Sequence, residues 1–131
     1  MSRRRVFLVE DHPVFRRGLK EVISQEEDLE VCGEAEEVPG TLASIDRSLP
    51  DLLVVDIGLK GGSGLDLIRE ARERHPELPI LVVSMYDESV YAERALAAGA
   101  LGYVTKQEAP ESIVRAARAV LAGRPYLSEK L

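Results

Sequence analysis

Four short apolar runs of this chain each end in a polar residue that can take part in chemistry, and this pattern restricts the fold more than any other feature. The runs are 6–9 before Glu10 and Asp11, 52–55 before Asp56, 80–83 before Ser84, and 101–104 before Thr105 and Lys106. Continuous apolar runs of this length suit strands that are covered on both faces of a parallel sheet. The carboxyl ends of such strands meet at one edge, where open α/β sheets bind their ligands.

Helical patterns lie between the apolar runs, so that strand and helix alternate along the chain. A fifth run, 29–33, is more polar and predicts a shorter strand at an edge of the sheet. The pattern therefore predicts an α/β protein with a doubly wound, five-stranded parallel sheet in the order 2-1-3-4-5. In that order the switch point lies between strands one and three, so Asp11 and Asp56 face each other across the crevice.

Residues typical of caps and turns give the expected helix boundaries. Asp11 is predicted to cap the first helix, with Pro13 in its first turn, and Asp87 to cap the fourth. Gly99 suits the end of the fourth helix. The glycine-rich segment 58–64 is predicted to be a flexible loop over the sheet edge, because it lacks the Lys-Ser/Thr ending of a phosphate-binding P-loop.

Composition excludes several classes of protein. The chain has 131 residues, of which 45% are hydrophobic and 31% charged, and this predicts one folded domain with a core. The net charge of −6 disfavours nucleic-acid binding, because phosphate contacts need clustered Lys and Arg. The single Cys32 excludes an internal disulfide and suits a reducing compartment. No run approaches the roughly 20 apolar residues of a membrane span, so we expect a soluble, cytoplasmic protein without membrane contact.

Three carboxylates are predicted to lie together at the sheet edge, and they repel one another unless a cation lies among them. Glu10, Asp11 and Asp56 offer hard oxygen donors, and the sequence has no Cys/His set for zinc. The pattern therefore predicts Mg²⁺, which binds one or two carboxylates and shares a phosphoryl oxygen. Lys106 adds an ammonium group and Ser84 a hydroxyl. Charges and donors of this kind stabilise phosphoryl transfer.

The same residues resemble a known family. Over essentially its whole length the chain is similar to the CheY-like receiver domain of two-component response regulators, whose site residues occur in this order and at these spacings. The matching positions are Glu10, Asp11, Asp56, Ser84, Tyr103 and Lys106. The resemblance implies a flavodoxin-like (βα)₅ fold. Segments 10–13 and 98–103 look like the subfamily whose output domain is a LuxR/NarL-type helix-turn-helix.

The resemblance implies a role for each carboxylate. Asp56 would be the phosphoacceptor, a nucleophile that attacks a phosphohistidine on a sensor histidine kinase. Glu10 and Asp11 would hold Mg²⁺, Asp11 directly and Glu10 partly through water. Asp56 and the backbone carbonyl of Gly58 would complete the protein's share of the metal ligands.

The remaining roles concern the phosphoryl group and the response to it. Ser84 would hydrogen-bond the phosphoryl group after it arrives, and Lys106 would pair with another of its oxygens. Tyr103 would be the switch residue that changes rotamer when Ser84 moves; the alternative is a tyrosine packed in an edge strand with its hydroxyl in water. His12 and His75 are interpreted as surface residues.

The resemblance also implies domains and partners. Residues 1–131 would form one receiver domain, a regulatory phosphoacceptor rather than an enzyme with a separate substrate. Phosphorylation would shift a two-state equilibrium on the surface of helix four, strand five and helix five, and would favour a homodimer. A DNA-binding output domain would follow residue 131 in a longer parent protein, so that this chain would not itself bind DNA.

Two other functions stay open on the sequence alone. One is a stand-alone receiver that acts through protein contacts or as a phosphate sink. The other is a small hydrolase of the haloacid-dehalogenase type with Asp56 as covalent nucleophile. Such hydrolases usually place a second aspartate two residues after the nucleophile, where this chain has Gly58.

Overall fold

Strand and helix alternate through the part of the chain that the computed structural model describes, which is residues 3–58, 63–85 and 89–128. The elements in chain order are β1 (Arg4–Val9), α1 (Pro13–Ser24), β2 (Leu29–Ala35), α2 (Thr41–Ser48), β3 (Leu52–Asp56), α3 (Gly64–Arg74), β4 (Ile80–Ser84), α4 (Ser89–Ala98), β5 (Gly102–Thr105), α5 (Ala109–Leu121) and β6 (Tyr126–Leu127). The predicted α/β architecture is confirmed. No helix in these ranges is long and apolar enough to cross a membrane.

The sheet has the order β2-β1-β3-β4-β5-β6, and all neighbouring strands are parallel. The predicted order of the first five strands is confirmed, and β2 lies at an edge as expected. Strand β6 was not predicted from the sequence; it places Tyr126 opposite Gly102 and Leu127 opposite Tyr103. Strand β5 is therefore an inner strand of this sheet, which corrects the alternative that put Tyr103 in an edge strand.

Helices cover both faces of the sheet, and this explains why the central strands are apolar throughout. Helices α1 and α5 pack on one face and α2, α3 and α4 on the other. The first face buries the apolar side chains Val6, Leu8, Leu19, Ile23, Leu52, Val54, Leu81, Val83, Val104, Ile113 and Val120. The second face buries Phe7, Val9, Ile45, Leu53, Val55, Leu67, Ile68, Ile80, Val82, Ala95 and Tyr103. Alternate residues of each strand thus point into opposite layers.

One predicted helix cap is wrong. His12, not Asp11, is the N-cap residue of α1, and no side chain caps this helix. Pro13 follows at the helix start, and because proline has no N–H, this helix has one donor fewer to satisfy. Asp11 is thereby available to the site described below. The prediction for Gly99 is confirmed: it ends α4 with φ of +123°.

Only residues 58, 63 and 64 of the predicted glycine-rich loop lie within the described residues. Its residues 59–62 lie outside the described residues, as does Asp87, the predicted cap of α4. Ser63 and Gly64 belong to the start of α3 rather than to a loop. The Ser63 hydroxyl oxygen accepts a hydrogen bond from Asp66 N at 3.3 Å, and Gly64 is the first helical residue.

Candidate functional site

The sheet topology brings all four predicted strand ends to one edge. Asp56 ends β3 and is paired in register with Val83, and Ser84 ends β4 opposite Thr105. Glu10 follows β1, and its backbone N–H donates to Ala35 O at 2.9 Å, which continues the β1–β2 pairing by one residue. Parallel strands carry their carboxyl ends to the same side. The edge therefore holds the acidic, hydroxyl and ammonium groups within one small region.

Three carboxylates form a buried cluster at this edge. The side chains of Glu10, Asp11 and Asp56 are 2%, 6% and 5% exposed, respectively. One ligand atom from each of these residues and from His12 can be chosen so that all four atoms lie within 4.8 Å of one another. Gly58 N donates to Asp56 Oδ1 at 2.9 Å, so the backbone of Gly58 lies beside the Asp56 carboxylate.

Lys106 supplies the positive charge of the cluster. Its Nζ lies 2.9 Å from Glu10 Oε1 and 3.0 Å from Asp56 Oδ2, with the lysine side chain only 12% exposed. The backbone N–H of Lys106 donates to Ser84 O at 2.7 Å, which fixes the lysine relative to β4. Nζ also lies 4.8 Å from the centroid of the Phe15 ring, a cation–π contact.

The unsatisfied oxygens of the cluster fit a divalent cation. Glu10 Oε1 and Asp11 Oδ1 are buried and accept no well-oriented hydrogen bond within the described part of the chain. Lys106 Nζ is near the first, and His12 Nδ1 lies 3.2 Å from the second, yet neither contact has hydrogen-bond geometry. Buried anionic oxygens normally have partners. Hard carboxylate oxygens are the ligands that Mg²⁺ prefers, so this donor set suits that ion.

Burial acts on the ionisation of Glu10. Loss of hydration raises the pKa of this carboxyl above its ordinary value of 4.5, and the negative charge of Asp56 raises it further. Hydrogen bonds from Lys106 and from the backbone of His12 oppose the shift without cancelling it. The folded protein without metal is therefore destabilised by the ionised form of Glu10, which a nearby cation would relieve.

This shift predicts a pH dependence that Glu10→Gln should remove. A carboxyl whose pKa rises on folding contributes stability below its unfolded pKa, and that contribution is lost as pH rises through the folded pKa. Gln does not titrate. In the presence of a chelator, the stability of Glu10→Gln relative to the wild type should therefore increase as pH rises from 4.5 towards neutrality. Urea unfolding at a series of pH values measures the difference.

Glu21→Gln is the matched control for that experiment, because Glu21 is exposed on α1. A stability difference between Glu10→Gln and the wild type that stays constant across this pH interval would contradict the prediction.

The two predicted switch residues, Ser84 and Tyr103, are both buried. Ser84 is fully buried at the end of β4, and Tyr103 is fully buried on β5. The Tyr103 ring belongs to the apolar layer beneath α3 and α4. Tyr103 lies two strands away from Asp56, since β4 stands between β5 and β3. A rotamer change of Tyr103 would therefore alter the packing between β5 and α4.

The position of the His12 ring was not predicted from the sequence. The residue is exposed as expected, with 55% of its side chain accessible, but Nδ1 turns inward to lie 3.0 Å from Glu10 Oε2. It also lies 2.9 Å from Lys106 Nζ. The sequence offered one signal, namely that His12 directly follows the acid pair. His75 lies elsewhere, with Nε2 2.7 Å from Asp46 Oδ1, and is a half-buried helix-end residue.

Comparison with known proteins identifies the family. Residues 6–118 match the family model described as the response regulator receiver domain. This chain belongs to the response regulator receiver family. The family is regulatory, and its members bind Mg²⁺ at an acidic pocket. In this receiver domain, Glu10, Asp11 and Asp56 form an acidic cluster at the carboxyl edge of the sheet.

The relatives of this receiver domain are LuxR/NarL-type response regulators. The chain is 37% identical over 126 residues to the DNA-binding transcriptional activator DevR/DosR of Mycobacterium tuberculosis, covering 96% of this chain and 58% of that protein. It is 31% identical to the oxygen regulatory protein NreC of Staphylococcus epidermidis, covering 97% and 59%, respectively. The receiver thus spans a little more than half the length of such relatives.

Solved structures give the same result. A LuxR-family two-component response regulator from Aurantimonas superposes with a TM-score of 0.92 at 35% identity, covering 98% of this chain and 91% of that chain. The non-phosphorylated receiver domain of RcsB from Escherichia coli superposes with a TM-score of 0.90 at 26% identity, covering 98% and 100%. These likenesses extend over the receiver fold from end to end.

Proposed function

We propose that this receiver domain accepts a phosphoryl group on Asp56 from the phosphohistidine of a sensor histidine kinase, in a reaction that depends on Mg²⁺. The observation that carries the proposal is the position of the Asp56 carboxylate, which lies beside two other carboxylates, an ammonium group and a backbone N–H. No other described carboxylate has Lys106 at 3.0 Å and Gly58 N at 2.9 Å on its two oxygens. These contacts orient the group for attack from the sheet edge.

The transfer is a displacement at phosphorus. A lone pair of an Asp56 carboxylate oxygen forms the new O–P bond, and the N–P bond of the phosphohistidine breaks. The bonding pair stays on the imidazole nitrogen of the kinase histidine, so only the phosphoryl group is transferred, from that nitrogen to the Asp56 oxygen. The acyl phosphate on Asp56 carries more negative charge than the carboxylate, and catalysis therefore needs preorganised positive groups.

The groups that would meet this charge are already at the site. Glu10, Asp11, Asp56 and the carbonyl of Gly58 would hold Mg²⁺, which when bound supplies positive charge to the phosphoryl oxygens. Lys106 would move its ammonium from the carboxylates onto one phosphoryl oxygen. Ser84 would donate its hydroxyl to another, which pulls the end of β4 towards Asp56.

The response would pass from Ser84 to Tyr103 and the helices over it. Ser84 and Tyr103 lie on adjacent strands, and Tyr103 packs beneath α4. A shift of Ser84 would change the room available to the Tyr103 ring, and thereby the surface of α4, β5 and α5. Phosphorylation would shift a pre-existing equilibrium rather than create a new fold.

The output of this domain is proposed from its relatives. DevR/DosR is named a DNA-binding transcriptional activator, and one solved structure shows two RcsB dimers bound to DNA. We infer that residues 1–131 act as one receiver domain of a longer regulator, that phosphorylation favours a homodimer, and that a separate output domain contacts DNA. The chain's own net charge of −6 supports the inference that DNA is contacted by a separate domain, because an acidic surface repels phosphates.

The test of phosphoryl acceptance is the intact mass of the protein after incubation with acetyl phosphate. The wild type with Mg²⁺ should gain one phosphoryl group, and Asp56→Asn should gain none. Asp66→Asn is the matched control, because Asp66 is an exposed aspartate on α3 paired with Arg69, and this variant should react like the wild type.

Two outcomes would count against the proposal. An adduct of equal yield in Asp56→Asn would place the acceptor on another residue. An adduct that forms as fast in excess chelator as with Mg²⁺ would show that the reaction does not depend on the metal.

A further inference from the structure

His12 is the part of the site that phosphoryl acceptance does not use. Its ring stands at the mouth of the acidic cluster, but Nδ1 points inward. This nitrogen lies 3.0 Å from Glu10 Oε2, 3.2 Å from Asp11 Oδ1 and 4.0 Å from Asp56 Oδ2. All three proposed carboxylate ligands of the metal are therefore within reach of one imidazole nitrogen.

These separations match the spacing of ligand atoms around a small cation. Nitrogen and oxygen ligands lie about 2.0–2.2 Å from a bound transition metal, so adjacent ligand atoms stand roughly 3 Å apart and opposite ones about 4 Å. The four candidate ligand atoms of Glu10, Asp11, His12 and Asp56 all lie within 4.8 Å of one another. The imidazole nitrogen thus lies close enough to the carboxylate oxygens to serve as a fourth ligand atom.

Lys106 marks where a positive charge is stabilised in this cluster. Its Nζ lies within 3.0 Å of both Glu10 oxygens, of Asp56 Oδ2 and of His12 Nδ1. An ammonium group has donors only. The ring tautomer with its proton on Nε2 accepts this contact at Nδ1, and in that tautomer the Nδ1 lone pair points into the cluster. A lone pair aimed at a cation is the requirement for a metal ligand.

The unsatisfied oxygens are the second, independent observation. The Asp11 side chain is 6% exposed, and its Oδ1 lies on the cluster side without a well-oriented hydrogen bond. Glu10 Oε1 also lacks a well-oriented hydrogen bond, although it forms an ion pair with Lys106. The Glu10 side chain is 2% exposed. The cluster thus offers buried oxygens that lack donors, together with one imidazole nitrogen.

We propose that His12 Nδ1 is a nitrogen ligand for late first-row divalent cations such as Ni²⁺ or Co²⁺, held together with the carboxylates of Glu10, Asp11 and Asp56. Imidazole suits these metals, whereas Mg²⁺ prefers oxygen ligands and retains water. The inference rests on the metal site of the proposed function and adds a selectivity to it. The same pocket binds Mg²⁺ through oxygen alone and binds Ni²⁺ through oxygen and nitrogen.

Calorimetric titration of the untagged protein with Ni²⁺ and, separately, with Mg²⁺ at pH 8 tests this proposal. His12→Ala should weaken Ni²⁺ binding by about tenfold or more, since loss even of a group that only orients a ligand costs 10–100-fold in affinity. Mg²⁺ affinity should change less than about twofold, because His12 is no ligand for that ion. His75→Ala is the matched control, because it removes the other of the two histidines and should leave both affinities unchanged.

A spectroscopic measurement separates ligation from an indirect effect. The Co²⁺-loaded wild type and His75→Ala should show a paramagnetically shifted ring N–H resonance in proton NMR, and His12→Ala should not. Unchanged Ni²⁺ affinity in His12→Ala, or equal loss of Ni²⁺ and Mg²⁺ affinity, would overturn the proposal. Failure of the wild type to bind Mg²⁺ would instead count against the proposed function, so the two failures are distinguishable.

Discussion

Replacing Lys106 with Met should destabilise the metal-free domain by about 3–5 kcal/mol, the usual effect of removing one partner from a buried ion pair. Lys106 Nζ lies 2.9 Å from Glu10 and 3.0 Å from Asp56, and both carboxylate side chains are at most 5% exposed. Without the ammonium, two buried negative charges and the nearby Asp11 repel one another. Chemical denaturation in the presence of a chelator measures the loss.

The same variant should bind Mg²⁺ more tightly. Two unit charges about 4 Å apart interact by roughly 4 kcal/mol at an effective dielectric constant of ~20. Removal of the competing ammonium should therefore raise Mg²⁺ affinity by about tenfold or more, where tenfold is about 1.4 kcal/mol. Saturating Mg²⁺ should recover part of the lost stability.

Lys20→Met provides the comparison for Lys106→Met. Lys20 pairs with Glu34 at 3.0 Å on the surface, with side chains 50% and 33% exposed. Exposed pairs contribute about 0–1 kcal/mol, so this variant should unfold almost like the wild type and bind Mg²⁺ unchanged. If Lys20→Met and Lys106→Met lost the same stability, the ion pairs of the acidic cluster would not be the cause.

Gly64→Ala should lower stability by about 1–3 kcal/mol through overpacking and should slow phosphorylation of Asp56. A Cβ at residue 64 would lie 2.5 Å from Ile57 Cα and 3.0 Å from Asp56 O. These are backbone atoms, so no side chain can rotate away. Either α3 or the chain after β3 must shift, and the second shift moves the acceptor carboxylate. Thermal unfolding and the initial rate of adduct formation measure the two effects.

Gly18→Ala is the contrasting variant. Gly18 lies in α1, and a Cβ there would meet nothing within 4 Å. Alanine in the interior of a helix is favoured over glycine by roughly 0.5–1 kcal/mol, so this variant should be slightly more stable and should accept phosphate at the wild-type rate. A stable Gly64→Ala with normal phosphorylation would show that Ile57 yields without disturbing Asp56.

The sequence predicted most of the site because the site follows from topology. Parallel strands end at one edge, so the polar residue after each apolar run has to arrive there. Asp56, Glu10, Ser84 and Lys106 are all found at that edge. Their roles as acceptor, metal ligand and phosphoryl partner remain predictions, since they depend on chemistry that position alone does not test.

The errors have local causes. Asp11 was predicted as a cap because aspartate is typical of that position, but Pro13 makes the cap less necessary and the carboxylate joins the cluster instead. The inward turn of the His12 ring depends on the backbone at His12, with φ of −90° and ψ of 107°. Residue type and spacing do not specify these angles.

Strand β6 was missed because two residues carry no periodic pattern. Its position depends on hydrogen bonds rather than on apolar spacing. Ser128 is buried, its hydroxyl oxygen accepts from Thr105 N at 2.9 Å, and its N–H donates to Tyr103 O at 3.0 Å. Once this short strand is present, Tyr103 lies on an inner strand of the sheet rather than on an edge strand.

Strand β6 also bears on how the folded domain avoids aggregation. An uncovered β5 would offer a row of free N–H and C=O groups on which a strand from another molecule could pair. Gly102 lets its neighbours pack closely, since a Cβ there would lie 2.8 Å from Leu81 Cδ1 and from Val120 Cγ2 and 3.3 Å from Tyr126 O. The outermost strand on this side is then two residues long, too short to act as a template. On this side of the sheet a strand from another molecule would therefore find only the two residues of β6 to pair with, whereas β2 forms the edge on the opposite side.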